Sequence, residues 1–154
     1  MNDKNIPNAL PDWIQAHIKL YQEDGNAGHY WDSTAAGGTG KITTLLLTTK
    51  GRKSGNTLTI PLIYRPTNTG GYCVIASKGG AASHPAWYLN LMADPTVQIQ
   101  VATDKYTATA HIAEGEEREK LWQTLVDYYP PYTDYQTATQ RQIPVVVLDP
   151  VKER

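Results

Sequence analysis

Between residues 9 and 23, Leu10, Trp13, Ile14, Ile18 and Tyr21 recur at three- and four-residue spacing, with Pro11 near the start and Gly25 past the end. Positions three and four apart share one face of a helix, so this stretch predicts an amphipathic helix. The period then disappears. Residues 25–40, GNAGHYWDSTAAGGTG, hold glycine and small polar residues and predict a mobile surface segment. Its Tyr30 and Trp31 are read either as ligand contacts or as anchors to the core. From Ile42 the runs ITTLLLTT, TLTIPLIY and GYCVIAS are rich in β-branched and aromatic residues and are separated by GRKSGN and PTNTGG, the pattern of strands joined by turns. Ser83, His84 and Pro85 mark the entry to a short helix that Asp94 and Pro95 end. Two more strands follow, TVQIQV and KYTATAHIA, joined at Thr103 and Asp104. A helix from about 116 to 129 then presents Leu121, Trp122, Leu125, Val126 and Tyr129 on one face, behind an acidic first turn of Glu116 and Glu117. The apolar strand Ile143 to Leu148 closes the series.

Six closely spaced strands with helices before, within and after them, and no βαβ rhythm, predict a mainly β fold with flanking helices (α+β), a closed or partly closed barrel. With 154 residues the chain is read as one domain spanning 1–154, able to bury roughly two thirds of its unfolded surface. No window approaches the run of about 18 apolar residues that a membrane span needs. The opening MNDKNIPNALPDW lacks a basic segment followed by an apolar stretch, so a cytoplasmic protein is expected, with peripheral membrane contact left open.

Charge narrows the partners. A formal net charge of −1 offers no whole-protein attraction to nucleic acid, so anion binding has to be local. Cys73, the single cysteine, excludes an internal disulfide and multi-cysteine metal sites, and its place in Tyr72–Ile75 predicts a buried, inert thiol. Phenylalanine is absent while tyrosine numbers ten and tryptophan four, so the aromatic surface carries polar handles able to orient a flat ligand.

Several chemistries drop out. The run Gly37 to Lys41 is no phosphate-binding P-loop, because Ile42 stands where Ser or Thr is required and Ala35 where the first glycine belongs. His17, His29, His84 and His111 lack metal-ligand spacing and are read as surface or packing residues, with no metal expected. Ser77 does not sit in a nucleophile elbow. What remains is the turn Lys50, Gly51, Arg52, Lys53, Ser54, Gly55, where three cations, a hydroxyl and loop amides share one rim suited to a polyanion. A second loop, Ser77 to Gly80, is placed to add Lys78 on the same side. A solvated basic turn is the simpler reading of the first loop taken alone.

The order and spacing of further residues change that balance. Thr48, Thr49, the loop Gly51 to Gly55, Pro61 and Leu62 are followed by Ala76, Ser77, Lys78, Gly79 and the run Pro85, Ala86, Trp87, Tyr88, Leu89, Asn90, Leu91. Then come Asp94, Pro95, Val97 and Gln98, and Tyr129, Pro130, Tyr132, Tyr135, Arg141, Ile143 and Pro144. Over residues 42–150 this set resembles the deazaflavin-dependent nitroreductases. The resemblance implies a split β-barrel of the FMN-binding-like type and an oxidoreductase using reduced coenzyme F-420, an 8-hydroxy-5-deazaflavin, against a quinone or nitro acceptor.

It also implies roles for residues. Lys50, Arg52, Lys53, Ser54 and Gly55 would hold the anionic tail, with help from Lys78, and Pro61, Ala76, Ser77, Trp87 and Asn90 would lie near the cofactor. Tyr129, Tyr132 and Tyr135, with Ser77, fall on acceptor-pocket positions; Tyr132 or Tyr135 would relay a proton. Leu58 departs from the pattern, since family members often carry arginine there, and residues 25–40 are unlike the usual family entry. FMN in the same barrel is an alternative cofactor, a non-catalytic cofactor or lipophilic-ligand binding protein an alternative function, and monomer and homodimer both stay open.

Overall fold

The computed structural model describes residues 10–151. Helix α1 (Asp12–Glu23) buries Ile18 and Tyr21 against Leu46. It leads through α2 (Gly25–Gly28) into β1 (Tyr30–Asp32), β2 (Lys41–Lys50), β3 (Thr57–Ile63), β4 (Arg65–Pro66) and β5 (Tyr72–Ile75). Helix α3 (Ala86–Ala93), β6 (Thr96–Val101), β7 (Asp104–Ile112), α4 (Gly115–Tyr128), α5 (Pro131–Thr137) and β8 (Val145–Pro150) complete the fold. The expected first helix thus starts at Asp12; residue 9 lies outside the described residues.

Every strand pairing is antiparallel, in the order β1-β2-β6-β7-β8-β5-β4, with β3 on β2. β3 and β4 lie at opposite ends of this order yet are separated in the chain by Tyr64 alone, so the sheet must curl until its ends meet. The result is a split barrel, with its seam at Tyr64, whose amide donates to Thr43 O at 3.4 Å.

The strands read as continuous apolar runs because both faces are covered. Val146 and Leu148 of β8 join the barrel interior with Leu45, Leu47, Val74 and Trp87, whereas Val145 and Val147 turn to α4 and α5 with Ile42, Ile75 and Leu125. Alternation with period two sorts the side chains to these two clusters.

The segment 25–40 differs from expectation. It is pinned in place, because β1 pairs with β2 in the register Tyr30 to Thr43 and Trp31 to Ile42. Trp31 stacks on Trp13 at 5.8 Å and lies 6.2 Å from Tyr129. Small residues here serve close packing. A Cβ on Gly28 would fall 2.3 Å from Tyr21 Cα, in a place already occupied by backbone. The Tyr21 hydroxyl in turn donates to Thr44 O at 2.7 Å and accepts from Ala102 N at 2.9 Å, tying α1 to β2 and to the β6–β7 turn. Gly28→Ala is expected to cost about 2–3 kcal/mol by overpacking, read as a lowered urea midpoint with an unchanged slope.

Two strands and two helices lie beyond the six strands and three helices anticipated, the four-residue α2 (Gly25–Gly28) being one of them. β1 and β4 are too short to show a period, and α5 is a seven-residue helix that opens on Pro131 at its first position.

Candidate active site

The seam side of the barrel holds a cavity of about 300 Å³, at the small end of the range for bound organic ligands. β3 supplies Pro61, the loop after β5 supplies Ser77, Lys78 and Gly79, and α3 supplies the buried Trp87. Tyr129, Tyr132 and Tyr135 complete the lining, and α5 packs directly against the loop after β5 at Gly80 and Tyr135. The walls are largely apolar, which suits a flat ring system, and besides His17 and Thr44 the polar groups sit at two places.

The first is the loop 76–81. Ser77 is right-handed helical, but Lys78, Gly79 and Gly80 follow at φ 47°, 63° and 84°. Gly80 is required, because a Cβ there would meet Tyr135 O at 2.7 Å in addition to the left-handed strain. The amides of Ser77, Lys78 and Gly79 donate to no backbone carbonyl among the described residues, while those of Gly80 and Ala81 return to Ser77 and Lys78. Consecutive free amides beside a cavity are ready donors for an anionic or carbonyl oxygen. Lys78 Nζ lies 3.3 Å from Ser83 Oγ.

The second is the tyrosine cluster. Tyr129 and Tyr135 hydroxyls are 3.0 Å apart, and Tyr129 OH donates to Ala36 O at 3.4 Å. Tyr132 packs edge-on to both rings, and its hydroxyl makes no hydrogen bond to another side chain or carbonyl among the described residues. Burial, then the neighbouring phenols, pushes Tyr132 well above the usual tyrosine range, and burial with the Tyr135 hydrogen bond does the same for Tyr129. Both therefore stay neutral hydrogen-bond donors at any ordinary pH.

Other expected site residues fall outside the cavity wall. The basic turn is the β2–β3 hairpin tip, where Lys50, Arg52, Lys53, Ser54 and Gly55 are exposed. Asn90 of α3 is buried and anchors this tip: its Oδ1 accepts from Arg52 N at 3.2 Å and Arg52 Nη1 at 3.1 Å, and its Nδ2 donates to Thr49 Oγ1 at 3.1 Å. Trp87, one turn earlier on α3, faces the cavity, so one helix links the hairpin to the cavity. Ser54 Oγ accepts from Asn56 N at 3.1 Å. Among the described residues no Lys or Arg lies within 4.0 Å of a carboxylate, the close pairs being those of His111 with Glu117 and Asp149. The hairpin cations are thus available to an incoming anion. Ala76 is buried and contributes its carbonyl, and Leu58 packs against the barrel interior opposite Thr49.

A family model for F420H(2)-dependent quinone reductases matches residues 13–150. The chain belongs to this family. It is 38% identical over 139 residues to an F420H(2)-dependent quinone reductase of Mycobacterium tuberculosis, a match spanning 88% of each chain. A solved structure described as an F420-H2 dependent reductase superposes with a TM-score of 0.63 at 46% identity, over 69% of this chain and 93% of that one. A second, described as a domain-swapped dimer, gives 0.66 at 38% identity over 90% and 98%.

Within this family member the N-terminal helix forms part of the cavity, a contribution that sequence reasoning missed. Trp13, Ile14 and His17 of α1 and Trp31 of β1 line it beside Tyr129. Three- and four-residue spacing marked Trp13 as a packing residue of α1, yet it is 56% exposed and stacked on Trp31 at the cavity. Tyr30 is exposed and lies outside the wall. The histidines are partnered: His17 Nε2 meets Gly28 O at 2.8 Å and His29 Nε2 meets Tyr64 OH at 2.7 Å. No group of three or more His, Cys, Asp or Glu among the described residues could hold a metal, and no helix is long and apolar enough to cross a membrane.

Cys73 is fully buried, and burial pushes its thiol up to about 11. At pH 8 only about one thiol in a thousand is ionised, so the native protein is expected to stay unreactive toward a disulfide reagent until denaturant exposes the thiol.

Proposed function

We propose that the chain transfers a hydride from reduced coenzyme F-420 to a quinone, with nitro compounds as further acceptors. The observation that carries this is one cavity bringing together the loop amides of Ser77 to Gly79, Trp87 and three tyrosines in a chain matched by the quinone reductase family over 13–150.

The fit is favourable on this structure's own features. Apolar walls receive a planar ring, amides without carbonyl partners sit at one rim, and cations without carboxylate partners stand on the hairpin linked to it by α3. Arg52, Lys53 and Ser54 would hold the anionic tail, Lys50 and Gly55 complete that rim, and Lys78 adds a cation. Pro61 and Trp87 would pack the ring. When bound, the reduced deazaflavin supplies a hydride and reacts poorly with oxygen, because carbon replaces the reactive ring nitrogen of a flavin.

The protein's task is then to position and to manage one proton. Tyr132 offers an uncommitted phenol at the cavity, able to donate to an acceptor oxygen as negative charge develops there. The Tyr129–Tyr135 hydroxyl pair lines the same cavity with Tyr135 half-buried, and Tyr132 would recover its proton from solvent entering the cavity once the product has left. Trp13 and Trp31 limit water at the acceptor side. Assembly as a homodimer belongs to the same proposal, supported by the relative described as a domain-swapped dimer.

Anaerobic mixing of the protein and reduced coenzyme with a soluble quinone tests this directly. Saturable oxidation of one coenzyme per quinone is expected; a rate no greater than that of buffer overturns the enzyme reading.

A further inference from the structure

The segment between α5 and β8 lies outside the cavity wall, yet it ties together α5 and the loop after β5, which both line it. Arg141 reaches the loop after β5 and donates from Nε to Ala81 O at 2.8 Å, from Nη1 to Ala76 O at 3.3 Å and from Nη2 to Ser77 O at 2.7 Å. Nη1 also lies 3.1 Å from His84 Nδ1, which must accept because a guanidinium carries no acceptor. One planar fork thereby fixes both ends of the loop 76–81.

Arg141 is itself held from α5. Gln136, the residue after Tyr135, donates from Nε2 to Arg141 O at 2.8 Å and accepts at Oε1 from Ile143 N at 2.9 Å. The connection therefore runs from the helix carrying Tyr132 and Tyr135, through Gln136 and Arg141, to the loop whose amides face the cavity. No carboxylate among the described residues lies within 4.0 Å of the guanidinium, so carbonyl dipoles are what it answers.

The loop needs such a hold. Lys78 is one of two non-glycine residues at positive φ among the described residues, and the two glycines that follow continue the left-handed path. A conformation of this kind persists only where surrounding contacts determine it. Beyond its own turn bonds, the loop's main chain is held by Ala76 N donating to Pro144 O at 3.0 Å, by the close approach of Gly80 to Tyr135 and, through three of its carbonyls, by Arg141.

We propose that Arg141, seated by Gln136, is a positioning residue: by holding the carbonyls of Ala76, Ser77 and Ala81 it keeps residues 77–79 in the strained conformation in which they line the cavity beside Tyr132 and Tyr135. The loop geometry stands on this structure alone, while the effect on catalysis rests on the reductase function proposed above.

The test compares wild type with Arg141→Ala and Arg141→Lys. In the protein without coenzyme, tryptic cleavage after Lys78, followed by mass spectrometry, should rise about tenfold in Arg141→Ala, the loop having lost its charge-assisted bonds. Cleavage after Arg52 and Lys53 on the distant hairpin should stay at the wild-type rate, which separates loop release from general instability. The coenzyme Kd should rise about tenfold with a similar fall in kcat. Arg141→Lys should recover little of either, since an ammonium cannot bridge three carbonyls in one plane. Millimolar guanidinium ion should restore turnover to Arg141→Ala where an alkylammonium ion does not.

Lys78 cleavage and coenzyme Kd both within twofold of wild type would overturn the proposal, as would equal acceleration at the hairpin. Should Arg141→Ala not fold, Gln136→Ala decides by the same two criteria. Wild-type protein that binds no coenzyme, beside an Arg141→Ala loop that is cut faster, would remove the reductase reading and leave the brace standing.

Discussion

Tyr132→Phe lowers kcat for quinone reduction by about 100-fold while leaving the coenzyme Kd within about threefold of wild type. The expectation follows from what the hydroxyl does and does not touch. It makes no hydrogen bond to another side chain or carbonyl among the described residues, so its loss breaks nothing within the fold, and the melting temperature should not fall. The same residue lines the cavity with Ser77 and Lys78, so loss of its hydroxyl removes the donor available to the acceptor oxygen. Because burial holds Tyr132 well above the usual tyrosine range, the residue is protonated on both sides of neutrality, and its contribution should be flat between about pH 6 and pH 9. A rate within twofold of wild type would remove Tyr132 from the chemistry. Tyr135→Phe, which breaks the 3.0 Å contact with Tyr129, is expected to give a smaller loss of about tenfold.

The double variant Arg52→Ala with Lys53→Ala weakens coenzyme binding by about 30-fold or more at low salt, with kcat at saturating coenzyme nearly unchanged. Both side chains are exposed on a hairpin that has no carboxylate partner among the described residues, so neither is committed to an ion pair inside the protein. An exposed cation contributes less than a buried one, and the two losses together are still expected to exceed the effect of either alone. The binding of wild type should weaken with added salt, and that dependence should be shallower in the variant. Loss of the Arg52 guanidinium leaves Asn90 Oδ1 with the Arg52 amide at 3.2 Å, so the tip should stay folded. Unchanged affinity would move the anionic tail elsewhere.

The barrel was readable in the sequence because its strands are long enough for period-two burial to repeat, as in Lys41–Lys50 and Asp104–Ile112. β1 and β4 escaped because Tyr30–Asp32 and Arg65–Pro66 hold too few residues to express any period, and α5 because its run of Pro131 to Thr137 is shorter than two helical repeats. The glycine-rich stretch before β2 suggested mobility, whereas Gly28 is small so that α2 can lie on Tyr21.

Candidate site residues divide by how far their meaning depends on distance in space. The loop cations and the three tyrosines were found through spacing that resembles the family. Trp31 was read as either a ligand contact or a core anchor, whereas Trp13 and His17 were not assigned to the cavity, because nothing local reveals that α1 lies against a wall formed by residues more than a hundred positions later. Asn90 was expected beside the cofactor, and the structure shows it buried and engaged with Arg52 and Thr49, a role visible only once α3 and the hairpin are placed together. Arg141 stood in the run that resembles the family without a role of its own, and Gln136 in none, because their partners become visible only once α5 and the loop after β5 are placed together.

The most direct test is a titration of the protein with coenzyme F-420, followed by the coenzyme's own fluorescence, beside an identical titration with FMN. Saturable binding of the deazaflavin at about micromolar concentration, with none of FMN over the same range, is the expected result. A preference for FMN, or binding of neither, would contradict the assignment of this cavity and its cationic hairpin to a deazaflavin.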